Sequence, residues 1–226
     1  RNLRGKPVYY QPGEGRDAHL EARIFRRRHE QVGRKLHPLM GVVLCGGQSS
    51  RMGSDKGLLM SDGVTWAERA ARQLAMACDR VVYSIRGEQQ EAYAAGIVGQ
   101  NFVTDADQYR DIGPLGGLLS VHEQFPENNI LLLACDMLLV KPEDLGPLKN
   151  SAGEVCVYRV GGFFEPLCAF YSATVLAKIG ALFRAKQITA SLQKILQLPE
   201  LRVTSLVPAD AGRLKSQNQP HAITPP

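Results

Sequence analysis

The segment Asn129-Ile130-Leu131-Leu132-Leu133-Ala134-Cys135-Asp136 is the most hydrophobic stretch of the chain, and it stops abruptly at a carboxylate. A short, unbroken apolar run of this kind is the pattern of a strand buried on both faces, and hence of a sheet covered by helices on both sides. Strands are also expected at Gly41-Val42-Val43-Leu44, at Arg80-Val81-Val82-Tyr83-Ser84-Ile85 and at Asn101-Phe102-Val103-Thr104-Asp105, the last again ending in an aspartate. Between them lie an alanine-rich amphipathic helix over 64–77, a short helix near 89–95, and a helix opened by Gly113-Pro114 that runs to about Gln124. This alternation predicts right-handed βαβ units around a mostly parallel sheet, an α/β fold. Such sheets bind ligands at the carboxyl ends of their strands, near the switch in strand order. The polar loop after the first strand, Asp105 and Asp136 are therefore expected to converge.

That loop reads Leu44-Cys45-Gly46-Gly47-Gln48-Ser49-Ser50-Arg51-Met52-Gly53-Ser54-Asp55-Lys56. Glycines let backbone N–H groups approach an anion closely, and Arg51 and Lys56 add full positive charges where a polyphosphate would lie. Five residues separate Gly47 from Gly53, and Lys56 follows three later, which excludes both the Walker A loop and the G-x-G-x-x-G fingerprint.

The second half of the chain is less regular. Val155-Cys156-Val157-Tyr158 and the segment 161–171 are expected as antiparallel strands about Gly161-Gly162, lining the acceptor side. Helices near 172–184 and 190–197 and a strand at Leu201-Arg202-Val203 complete the expectation. With 226 residues, the chain suits one well-buried domain, placed at residues 40–226. Residues 1–39 read as a basic extension or linker, partly helical, closed by His37-Pro38. Net charge is +5, and residues 1–40 hold ten Lys and Arg against four Asp and Glu, so the remainder is close to neutral. A solvated face is the favoured reading of that surplus, and no nucleic-acid or membrane partner is expected. No apolar run approaches the roughly 20 residues that span a bilayer. Arg1-Asn2-Leu3-Arg4 lacks the apolar core of a secretory signal, so a cytoplasmic location is expected. The five cysteines form no C-x-x-C pair and read as small apolar groups.

Nucleotidyl transfer needs a neutralised triphosphate, a divalent cation on the phosphate oxygens, and an acceptor held in line with the α-phosphorus. The glycine loop with Arg51 and Lys56 answers the first need. Asp105 and Asp136 answer the second, because Mg²⁺ takes one or two carboxylates and completes its shell with phosphates and water. Each of these residues has an ordinary reading when taken singly: a surface cation, a turn residue, or, for Asp136, the N-cap of a helix starting near Pro142. Their joint occurrence favours the site. No Ser-His-Asp or Cys-His arrangement competes with it.

The stretch 43–59 resembles the signature of the molybdenum cofactor guanylyltransferases, which usually reads L-A-G-G-x-S-x-R-M-G-x-D-K-x-L. The likeness continues through Gly113-Pro114-Leu115-Gly116-Gly117, Ala134-Cys135-Asp136 and residues 165–171, and reaches Asn218-Gln219-Pro220. It implies a three-layer, Rossmann-like nucleotidyltransferase fold that uses GTP and Mg²⁺. GMP would pass to the phosphate of molybdenum-molybdopterin with release of pyrophosphate, and molybdoenzymes or cofactor-delivery proteins would be further partners. Carried over by position, Leu44, Cys45, Gly46, Gly47 and Ser49 would contact the guanine nucleotide, while Arg51 and Lys56 would hold its phosphates. Asp105 would lie at the nucleotide, with Asp136 on the metal. Arg51, Lys56 and Asp136 would form the catalytic set, with Gly113, Leu115, Gly116 and Asn218 on the acceptor side.

Three departures from the pattern stand out. Cys45 replaces the usual alanine, Ser84-Ile85-Arg86 stands where the family often carries asparagines, and Ser216-Gln217-Asn218-Gln219-Pro220 replaces N-x-N-T-P. The nearest rival is a cytidylyltransferase of the same cofactor, or a relative acting on another phosphorylated acceptor; the cytidylyl branch tends to read L-A-A-G, so Gly46-Gly47 favours guanine. A rival of another class is a non-catalytic protein that keeps the fold and recruits a partner through its basic extension.

Overall fold

A computed structural model describes residues 37–46, 55–97, 99–150 and 153–217. The expected basic extension, and with it any domain boundary near residue 39, falls almost wholly outside them, as do Gly47, Ser49, Arg51 and Asn218.

Nine strands are described: β1 (Leu39–Leu44), β2 (Met60–Ser61), β3 (Val64–Thr65), β4 (Arg80–Ile85), β5 (Phe102–Thr104), β6 (Asn129–Ala134), β7 (Val155–Val160), β8 (Phe163–Tyr171) and β9 (Val203–Leu206). Seven of them form one sheet in the order β5-β4-β1-β6-β8-β7-β9. The pairs β4/β5, β1/β4, β1/β6 and β7/β9 are parallel, and β8 alone runs antiparallel to its neighbours β6 and β7. The Gly161-Gly162 turn makes β7 and β8 a hairpin, as their sequence predicts. The hairpin β2/β3 takes up Val64 and Thr65, the first residues of the helix expected over 64–77.

The helices are α1 (Trp66–Ala75), α2 (Gln90–Gly96), α3 (Pro114–Gln124), α4 (Pro142–Lys149), α5 (Ala173–Arg184) and α6 (Leu192–Ile195). The start of α1 is set by a capping box: Thr65 Oγ1 accepts the Glu68 N–H at 3.1 Å, and the Glu68 carboxylate accepts the Thr65 N–H at 3.0 Å.

The reason β1 and β6 are apolar throughout lies in the two layers that cover them. On one face Met40, Val42, Leu44, Ile130 and Leu132 pack with Leu115, Leu118 and Leu119 of α3 and Val175, Leu176 and Ile179 of α5. On the other, Val43, Cys45, Leu131 and Leu133 pack with Ala67, Ala70 and Leu74 of α1, Tyr93 of α2 and Leu145 and Leu148 of α4. Alternate residues of one strand thus enter opposite cores, which is the three-layer α/β arrangement. All five cysteines are buried, and Cys156 and Cys168 fill these cores. Among the described residues no helix is long and apolar enough to cross a membrane.

Candidate active site

Register brings the strand ends to one level. Leu44 pairs with Ser84 on one side and Ala134 on the other, and Ile85 pairs with Thr104. The ladder continues one residue further: Cys45 N–H donates to the Ser84 carbonyl at 2.9 Å, Cys135 N–H to the Leu44 carbonyl at 3.1 Å, and Asp105 N–H to the Ile85 carbonyl at 3.1 Å. Chain order runs outward from β1 to β4 and β5, then returns across β1 to β6. The gap between β1 and β6 is therefore the switch point where such sheets bind ligands.

On the β4/β5 side of β1 lies a cavity of about 340 Å³ lined by Leu44, Gly46, Ser84, Arg86, Asp105, Asp111, Gly113, Pro114 and Gly117. Its existence depends on a close approach of α3. A Cβ on Gly117 would overlap Ser84 Oγ and stand 2.7 Å from Leu44 Cδ1, so only glycine lets the helix start sit against the strand ends. Ser120 fixes the other wall, accepting the Ala106 N–H at 2.9 Å and donating to the Gly116 carbonyl at 2.7 Å. Burial pushes Asp105 up to about 6, with Glu88 and Asp111 adding to the rise and Arg86 opposing it.

On the β6 side, Lys56 Nζ donates to Asp136 Oδ2 at 3.0 Å and to the Gln217 carbonyl at 3.3 Å. Gln217 N–H in turn donates to the Asp136 carbonyl at 2.8 Å, so the C-terminal segment is fastened to the turn after β6. Asp136 caps no helix. The N-cap of α4 is Lys141, whose N–H is taken by Asp144 at 2.9 Å.

Lys56 is aimed by a network that sequence reasoning missed. Asp55 Oδ1 accepts the Gly57 N–H at 3.0 Å and the Tyr93 hydroxyl at 2.7 Å, and its Oδ2 accepts from Gln89 Nε2. Gln89 Oε1 also takes the Arg86 N–H at 2.6 Å, tying the end of β4 to the one-turn 3-10 helix Lys56–Leu58. A Cβ on Gly57 would run into the Tyr93 ring and hydroxyl. Burial raises the Tyr93 phenol far above its ordinary value, so it remains a donor. The only local signal for this network was Asp55 itself, next to Lys56.

The structure sorts the remaining candidates. Leu44 and Gly46 line the cavity. Cys45 faces the second core, its thiol donating to the Val43 carbonyl at 3.8 Å, so it offers a ligand only its main chain. Gly113 lines the same cavity as Leu44 and Gly46. Leu115 is wholly buried in the core, and a Cβ on Gly116 would overlap the Tyr109 carbonyl, so the side chain of the one and the absent side chain of the other serve packing.

Nor do Asp105 and Asp136 share one ion. β4 and β1 intervene between β5 and β6, three inter-strand steps or roughly 14 Å, whereas a single Mg²⁺ binds oxygens at about 2.1 Å. Asp136 offers a single carboxylate beside Lys56. Among the described residues no three His, Cys, Asp or Glu side chains cluster as a metal site. One carboxylate is still a fitting donor set for Mg²⁺, which relies on substrate phosphates and water for the rest.

A mostly parallel sheet with a cavity on one side of β1 and a lysine–carboxylate pair on the other defines an α/β protein that binds its ligand at the strand ends. The comparisons with known proteins agree. The MobA-like NTP transferase domain matches residues 41–203, and the chain belongs to that family and is an enzyme of the nucleotidyltransferase class. A probable molybdenum cofactor guanylyltransferase of Opitutus terrae is 32% identical over 192 residues, covering 80% of this chain and 91% of the relative. A molybdenum cofactor biosynthesis bifunctional protein of Synechocystis is 33% identical over 144 residues, which span 62% of this chain but only 40% of that relative. In fold, the chain is similar to molybdopterin-guanine dinucleotide biosynthesis protein A of Archaeoglobus fulgidus, with a TM-score of 0.58, 22% identity, and coverage of 74% of this chain and 83% of that one.

Proposed function

We propose that this enzyme transfers GMP from GTP to the terminal phosphate of molybdenum-molybdopterin, releasing pyrophosphate. The observation that carries the reading is the Lys56–Asp136 pair at the β1/β6 gap, 3.0 Å apart, beside a cavity lined by Leu44 and Gly46. The names of the relatives supply the substrate class.

The base would enter the cavity under the N-terminus of α3, with the triphosphate running past Gly46 towards Lys56. Lys56 would then exchange the Asp136 carboxylate for phosphate oxygens, offsetting the charge that builds on the leaving pyrophosphate. Asp136, released from Lys56, would hold Mg²⁺ together with those oxygens. Bound there, the cation would neutralise phosphate charge and help to orient the triphosphate. An oxygen of the acceptor phosphate attacks the α-phosphorus in line, the bond from that phosphorus to its bridging oxygen breaks, and pyrophosphate leaves. A phosphate monoester is already largely ionised at neutral pH, its second pKa being about 6, so no side chain has to remove a proton. Among the described residues no histidine lines the cavity, which accords with that. Arg51, Gly47 and Ser49 would complete the phosphate cradle, and Asn218 would follow Gln217 to the acceptor.

The test is incubation with each of the four NTPs, Mg²⁺ and molybdenum-loaded molybdopterin while pyrophosphate release is followed. Release with GTP alone is expected. Equal or better turnover with CTP would move the enzyme to the cytidylyl branch, and no turnover with any NTP would favour a non-catalytic role.

A further inference from the structure

Arg86 ends the stretch Ser84-Ile85-Arg86, which stands where the family often carries asparagines, and neither the reaction nor the motif assigns it a task. It follows the last residue of β4 and lines the cavity beside Gly46, Ser84 and Asp105. Its main chain is pinned by Gln89, and its Cγ would stand 3.5 Å from a Cβ on Gly46, so the stem crosses the cavity wall towards the end of β1. One corner of the guanidinium is anchored, Nη1 lying 3.0 Å from Glu88 Oε1, and the side chain remains 31% exposed. Its Nε is buried and has no hydrogen-bond partner among the described residues. Asp105 stands beside Arg86, because its backbone N–H bonds the Ile85 carbonyl next door.

This places a planar fork of donors next to a carboxylate acceptor in one base-sized cavity. Among the common bases guanine alone presents the matching pattern: acceptors O6 and N7 on one edge, with donors N1–H and N2–H₂ on the adjoining edge. Adenine puts a donor where O6 would be, and cytosine has no N7 and offers N4–H₂. Resting on the guanylyl reading above, we infer that Arg86 is a specificity-determining residue that reads guanine through O6 and N7, with Asp105 accepting from N1–H and N2–H₂. Lysine, a point charge without the planar geometry, is no substitute for the fork.

The test measures binding of GTP and 7-deaza-GTP, which differ only in the N7 acceptor, to the wild-type chain, Arg86→Met and Arg86→Lys. Loss of one hydrogen bond to a charged donor should weaken wild-type binding of 7-deaza-GTP about tenfold. Both variants should bind GTP more weakly than wild type and should show no preference between the two nucleotides. Thermal melts accompany the titrations; Arg86→Lys keeps the charge beside Glu88, so it preserves the fold if Arg86→Met does not. A wild type indifferent to N7 would overturn the inference, as would a variant that keeps the wild-type ratio while binding both nucleotides less well, the mark of a phosphate contact. Failure of the guanylyl reading is separate and would show as wild-type protein preferring CTP or binding no GTP.

Discussion

Lys56 Nζ lies 3.0 Å from Asp136 Oδ2, although 80 residues separate the two in sequence. The contact links the turn after β1 to the turn after β6, and it leaves cation and carboxylate only partly exposed, at 21% and 16%. In the absence of nucleotide each group satisfies the other. On the proposed reading, triphosphate and metal would part these groups and give each a different partner.

Asp136→Asn should therefore lower Mg²⁺-dependent pyrophosphate release by at least about 100-fold, the scale seen when one preorganised charge contact is removed from a transition state. Affinity for GTP without metal should hold or rise, since Lys56 no longer has a carboxylate to leave. Activity that remained Mg²⁺-dependent at the wild-type rate would refute the assignment.

Tyr93→Phe removes the hydroxyl that holds Asp55 at 2.7 Å and leaves the ring packed. Asp55 keeps the Gly57 N–H, so the fold should lose only about 1 kcal/mol. Lys56 loses part of its aim, and kcat/KM for GTP should fall several-fold with little change in melting temperature. Steady-state kinetics and a thermal melt on the same preparation separate the two effects.

Gly117→Ala drives a methyl into Ser84 Oγ and Leu44 Cδ1. Overpacking of this kind costs about 1–3 kcal/mol, and here the displaced atoms also line the cavity. Both the melting temperature and GTP affinity should drop, and adding Ser84→Ala should recover part of each. Wild-type affinity in the single variant would show that α3 does not form the cavity wall as described.

Asp105 supplies a pH signature. Burial raises its folded value to about 6 from an ordinary 3.8, so the folded state holds the proton more tightly than the unfolded chain. Stability then declines as pH rises from 3.8 to about 6, and the full penalty stands above that. Asp105→Asn escapes it: the variant should melt higher than wild type at pH 7.5 and lose that advantage near pH 4, while binding GTP less well. Melting curves at the two pH values decide the matter, and equal shifts at both would place Asp105 outside any buried charge penalty.

The strands that build the sheet centre were legible because burial on both faces leaves an unbroken apolar run, as in β1 and β6. So was the glycine-proline start of α3. What local pattern does not carry is strand order. The sequence shows that β5 and β6 each lead to a carboxylate, and nothing in it says that β4 and β1 lie between them. For that reason the shared ion expected of Asp105 and Asp136 fails. The motif at residues 113–117 marks a tight helix start, but its packing against Tyr109 and the strand ends depends on residues that local pattern does not bring together. The network of Asp55, Gln89 and Tyr93 spans 34 and 38 residues and uses side chains that look like surface polar groups in isolation.

The bond from Gln217 to the Asp136 carbonyl, with the Gln217 carbonyl on Lys56, makes one residue a clasp on both members of the charged pair. Gln217 lies beyond β9, the last strand of the sheet, so removing it would leave every strand in the chain and take away the residue that fastens the Asp136 turn to Lys56.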